Sequence, residues 1–159
     1  MSSVIKWFQD YITGTVAQAS ENIRLNNIIT DGAMFGKSQI TSLAVAGPAV
    51  LTAAQTGTTF NLTGALGPAV TLPAVASSAG VQYRFVNGPA ALTATNAVIT
   101  APAGLLYGEV LGNATWVRKN AATTITFIAG TSVLGDTIDM WCDGTNWYVK
   151  GASNVSAWS

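Results

Sequence analysis

The sequence predicts a mainly β protein: an antiparallel β-sandwich or jelly-roll-like domain over residues 47–159, preceded by an N-terminal arm, residues 1–46, containing a short helix. Three observations carry this. From Pro48 onward, short apolar segments are separated by Gly, Pro, Asn and Ser at the spacing of an all-β sandwich or barrel. The first part shows helical spacing instead. The length of 159 residues suits one domain plus an extension.

In the arm, Val4, Phe8 and Ile12, then Val16, Ala19 and Ile23, recur at helical spacing behind Ser2 or Ser3 as N-cap. Gly14 and several β-branched residues disfavour one continuous helix. The expectation is a short amphipathic helix over residues 3–12, then a largely extended chain through LNNIITDGAMFGKSQI. Trp7, Phe8 and Tyr11 are a large aromatic load for so small an element and require a surface to bury against. Val4, Trp7, Phe8, Tyr11 and Ile12 are therefore the candidate partner-binding residues of the arm.

Strands follow from alternation. Phe60 and Leu62 share a face in TTFNLT. In VQYRFVN, Val81, Tyr83 and Phe85 alternate with Gln82 and Arg84, and in TTITFIA, Ile125 and Phe127 alternate with Thr124 and Thr126. A faint repeat, GPAVLT at Gly47, GPAVTL at Gly67 and GPAALT at Gly88, reads as a Gly-Pro turn that starts a strand, used three times.

The segment GDTIDMWCDGTNWYVKG, Gly135 to Gly151, reads as a hairpin closed by a two-residue type I′ turn at Asp143-Gly144. That register sets Cys142 opposite Thr145, Met140 opposite Trp147 and Ile138 opposite Val149. Ile138, Met140, Trp147 and Val149 then form a core-facing side, and Asp139, Trp141 and Tyr148 lie on the other.

Composition narrows the function. Hydrophobic residues make up 49% and charged residues 9%, against about 25% charged in ordinary soluble chains. Nothing between Lys37 and Arg84 is charged. That interval is expected either at subunit contacts, in a homotrimer, or in a β core with threonine-covered outer faces. Zero net charge argues against direct nucleic-acid binding. Lys6, Trp7 and Asp10 interrupt the N-terminal apolar residues, so neither a secretory h-region nor a membrane-spanning helix is expected.

There is no histidine, which removes Ser-His and Cys-His nucleophile arrangements and the commonest metal ligand. The single cysteine, Cys142, has no partner for an intramolecular disulfide and reads as a small buried hydrophobe. A carboxylate pair is conceivable from Glu109, Asp136, Asp139 and Asp143. Turn capping by Asp136 and Asp143 explains them more simply, and EF-hand spacing fails at Met140 and Cys142. The expectation is a non-enzyme without a cofactor. Trp116, which shares a face with Arg118 in TWVRK, and Trp141 and Tyr148 in the hairpin are the candidate aromatic platform for a sugar or a partner; packing accounts for the same residues without a ligand.

LTAAQTGTTFNLTGALGPAVTLPA, Leu51 to Ala74, together with the Gly135–Gly151 segment, resembles small β-rich virion proteins of tailed bacteriophages, including capsid decoration (cement) proteins and tail-fibre domains. The resemblance covers most of residues 50–151. It implies a homotrimer on the capsid surface of a virion, assembled in the host cytoplasm. A decoration protein would bind the major capsid protein through its N-terminal extension and stabilise the shell. The alternative is a tail-fibre or receptor-binding module that recognises cell-surface glycan. The family carries no catalytic residue over to this chain.

Overall fold

The computed structural model describes residues 40–43, 48–63, 67–102, 105–112, 115–152 and 157–158. All belong to one compact unit, Ser38–Ser159. The expected helix over residues 3–12 and the candidate partner residues Val4, Trp7, Phe8, Tyr11 and Ile12 lie outside the described residues.

The described chain is mainly β. Its strands are β1 (Ile40–Leu43), β2 (Pro48–Val50), β3 (Thr58–Leu62), β4 (Ala69–Thr71), β5 (Gln82–Asn87), β6 (Ala97–Thr100), β7 (Leu106–Gly112), β8 (Thr115–Ala122), β9 (Thr124–Phe127), β10 (Thr137–Cys142), β11 (Trp147–Ala152) and β12 (Ala157–Trp158). They form a seven-stranded sheet, β1-β3-β5-β10-β11-β7-β8, and a five-stranded sheet, β12-β9-β6-β4-β2. β1, in a segment expected to be arm, pairs with β3 as the end strand of the larger sheet.

The expected antiparallel order is corrected: the sheets are mixed. From β1 to β6 the chain passes to the other sheet after every strand, so β1, β3 and β5 run parallel, as do β2, β4 and β6. β11 and β7 are also parallel. Antiparallel pairing is confined to β7–β8, β10–β11, β5–β10, β6–β9 and β9–β12. A tight turn reverses the chain within one sheet, whereas a corner leading to the other sheet returns it later in the same direction. Two of these corners are 3-10 turns, Ala53–Gln55 after β2 and Val75–Ser77 after β4. The first is fixed by Thr52 N–H donating to Gln55 Oε1 at 2.8 Å.

The Gly-Pro repeat follows this winding only in part. Pro48 opens β2, Pro68 immediately precedes β4, and Pro48 sits opposite Ala69. The third copy starts no strand. Gly88 N–H still donates to Leu62 O, Asn87 is tied to the 133–136 loop, and β6 begins only at Ala97.

Inward residues of both sheets belong to one buried cluster. The larger sheet supplies Phe60, Leu62, Tyr83, Phe85, Leu106, Val110, Ile138, Met140, Trp147 and Val149; the smaller supplies Val70, Ile99, Ile125 and Phe127. The alternation expected for TTFNLT and VQYRFVN is present, with Phe60, Leu62, Tyr83 and Phe85 buried; in TTITFIA, Ile125 and Phe127 are buried, and Thr126 between them is buried too. Phe60 stacks on Phe85 with centroids 5.5 Å apart, and Tyr83 on Trp147 at 5.6 Å. The Tyr83 hydroxyl donates to Thr52 O at 2.6 Å, and Trp147 Nε1–H to Pro73 O at 3.3 Å, so each buried ring satisfies its polar atom.

The uncharged interval divides between core and exposed sheet edges. Leu51, Thr58, Phe60, Leu62, Val70, Leu72 and Val81 are core. β1 and β2, the end strands of their sheets, leave Ile40 65% and Val50 67% exposed.

Candidate functional site

The hairpin has the predicted faces but another register. Cys142 pairs with Trp147, Trp141 with Tyr148, Met140 with Val149 and Asp139 with Lys150. The connection is the four-residue loop Asp143–Asn146, not a two-residue turn. The cause is Asp143: its Oδ1 accepts from the backbone N–H groups of both Thr145 and Asn146 at 2.7 Å, and its own N–H donates to Asn146 O. The slip is two residues, so each side chain keeps its face while its partner changes.

Register across the sheet then assembles two rows on the face opposite the core. The first runs Gln82, Trp141, Tyr148, Tyr107 over β5, β10, β11 and β7. The rings of Trp141 and Tyr148 lie 5.7 Å apart and 23° from parallel; Tyr107 follows, 6.5 Å from Tyr148 and tilted by 45°. The Tyr148 hydroxyl donates to Asp143 Oδ2 at 2.9 Å, which fixes the ring at the hairpin end.

The second row, two residues along each strand, is charged with alternating sign: Arg84, Asp139, Lys150, Glu109, Arg118. Arg84 holds Asp139 through Nε at 2.6 Å and Nη2 at 3.1 Å. Arg118 Nη2 donates to Glu109 Oε2 at 3.1 Å. Both pairs are exposed, so their contribution to stability is small.

Two shallow depressions flank Trp141. One, of about 590 Å³, is lined by Thr59, Gln82, Arg84, Asp139 and Trp141 among others. The other, of about 400 Å³, includes Trp141, Tyr148, Tyr107, Glu109, Arg118 and Lys150. Asn120 also borders it: β8 advances three residues, from Lys119 to Ala122, where β7 advances two, and Ala121 takes φ 60° at this bulge.

Trp141 and Tyr148, expected on one face of the hairpin but not opposite each other, are thus brought together. Trp116 is exposed on the same face but three strands away and beyond the charged row, opposite Leu111. Strand spacing puts it about 14 Å across the sheet from Trp141 and about 13 Å along it. The third ring of the cluster is Tyr107, which the sequence reading missed. Its only signal there was the alternation of LYGEV, and its neighbour is fixed by the parallel β11–β7 pairing, which links segments forty residues apart.

Hydrogen bonds from Asn146, Thr145 and Tyr148 hold the Asp143 carboxyl below its ordinary pKa, and Asp143 in turn raises that of Tyr148. The bond to Asp139 raises Arg84 further. Cys142 is buried and its thiol pKa is pushed up by burial, the opposite of an activated nucleophile. Among the described residues no three His, Cys, Asp or Glu side chains cluster as metal ligands, and no helix is long and apolar enough to cross a membrane. No protein-family model matches the chain, and no curated protein or solved structure matches it.

Proposed function

We propose that this chain is a virion-surface binding module of a tailed bacteriophage, and that it recognises cell-surface glycan through its exposed aromatic row. The resemblance of Leu51–Ala74 and Gly135–Gly151 to virion proteins supports the setting, and the row itself supports the ligand. Trp141 remains 40% exposed beside Tyr148 and Tyr107, on the face of the sheet turned away from the core. Aromatic faces beside convergent polar groups match the mixed apolar and hydroxylated surface of a sugar. In this reading the two sheets stack as a sandwich over the shared core, wound by alternation between sheets and not by the Greek keys of a jelly roll. The module works without catalysis or a cofactor. On a glycan array, Trp141→Ala should weaken binding about tenfold and Trp116→Ala should leave it intact. Absence of binding to any glycan, or an unaffected Trp141→Ala variant, overturns the reading.

A second reading is favoured by the end strands β1 and β2, which expose Ile40 and Val50 in a stretch without charge. A charge-free edge suits burial between subunits, since no ion must be desolvated. Here the chain is a homotrimeric capsid decoration protein whose N-terminal arm grips the major capsid protein. Light scattering should show a trimer, and deletion of residues 1–39 should abolish capsid binding without unfolding the body. A stable monomer at micromolar concentration, or full capsid binding by the truncation, refutes it.

A further inference from the structure

We infer that the depression between Trp141, Tyr148, Tyr107 and Lys150 takes a carboxylated sugar, with the acid group on the Lys150 ammonium. This rests on the glycan reading above and names the ligand class for the same face.

The charged row supplies the reason. Lys150 sits in register between Asp139 and Glu109, yet each carboxylate is engaged by an arginine from its other side, Arg84 and Arg118. Among the described residues, the Lys150 ammonium makes no ion pair or hydrogen bond, and it is exposed at the wall of the depression. An ammonium is a compact cation with three donors on a flexible stem, free here to meet an incoming anion.

Geometry places that cation where a stacked ring would present its acid. Lys150 follows Tyr148 by two residues on the same face, a separation of about 7 Å along the strand. A pyranose against Tyr148 and Tyr107 spans this with its ring carboxylate and one hydrogen bond. At the other end of the row, Asp143 Oδ2, already accepting from Tyr148, is an acceptor for sugar hydroxyls.

Charge selects the anion type. Arg84 spends two donors on Asp139 and Arg118 one on Glu109, and Asp139 and Glu109 flank the lysine. A cation flanked by two carboxylates favours a monoanion over a dianion such as a phosphate monoester.

The test is an array of uronate- and sialate-containing oligosaccharides, each beside its neutral methyl ester, probed with the full chain and with Lys150→Met and Lys150→Arg. The expected result is about tenfold tighter binding of at least one acid over its ester, lost in Lys150→Met and kept in Lys150→Arg, with ester binding equal in all three proteins. Lys150 is exposed, and circular dichroism should confirm that both variants fold. Equal binding of acids and esters by the wild type, or an acid preference that survives Lys150→Met, overturns the inference while leaving the glycan reading standing. Binding of no glycan at all overturns both.

Discussion

The Tyr148 hydroxyl donates to Asp143 Oδ2 across the hairpin loop, while the other oxygen of the same carboxylate accepts two backbone N–H groups. One aspartate thereby closes the loop and orients a half-buried ring of the candidate site.

This makes the loop sensitive to acid. The folded-state pKa of Asp143 lies below its ordinary value of 3.8. Its ionised form is therefore favoured by folding, and that stabilisation is present above the unfolded value and lost as pH falls through the folded one. Amide exchange at Thr145 and Asn146 should quicken as pH is lowered below about 4, after correction for intrinsic rates. Asp143→Asn should remove the pH dependence. Protection that does not change through this window contradicts the assignment.

Tyr83 behaves oppositely. Burial, with a smaller effect of Cys142, pushes its phenol up from 10.0 to about 12. A raised folded-state pKa means that stability is fully present below 10 and lost as pH rises toward 12. Tyrosinate absorbance should include a step near pH 12 that coincides with unfolding. Tyr83→Phe should lose the bond to Thr52 O, at a cost of about 1 kcal/mol, and remove that late step from the titration.

Trp147 is fully buried, stacks on Tyr83 and donates to Pro73 O. Trp147→Ala should lower unfolding free energy by about 3–5 kcal/mol, from lost burial and the cavity left behind. Trp141→Ala, on the exposed face of the same hairpin, should cost well under half as much in the same denaturant titration.

Gly108 has φ +146°, and a Cβ there would collide with the Val149 carbonyl oxygen. The parallel β7–β11 pairing depends on this close approach, and through it the placement of Tyr107 beside Tyr148. Gly108→Ala should destabilise the fold by about 1–3 kcal/mol, measured by thermal or denaturant unfolding. It should also weaken glycan binding although it touches no ligand. A variant as stable as the wild type would show that the strands separate at no cost.

In three alternating segments and the hairpin, sequence alone determined which residues are strand and which way they face. Phe60, Leu62, Tyr83, Phe85, Ile125 and Phe127 alternate with polar neighbours, and a period of two survives any pairing. It also determined the side of the hairpin on which Trp141 and Tyr148 stand, because a register error of two residues preserves faces. What tertiary structure decided is adjacency. Parallel neighbours are separated by a whole excursion into the other sheet, so no local signal ties β3 to β5 or β11 to β7. Tyr107 therefore joins the aromatic row, Trp116 falls outside it, and five charges scattered from Arg84 to Lys150 align into one alternating row. Side-chain direction is a property of the local backbone, whereas strand order is set by how the whole chain buries its apolar faces in one core.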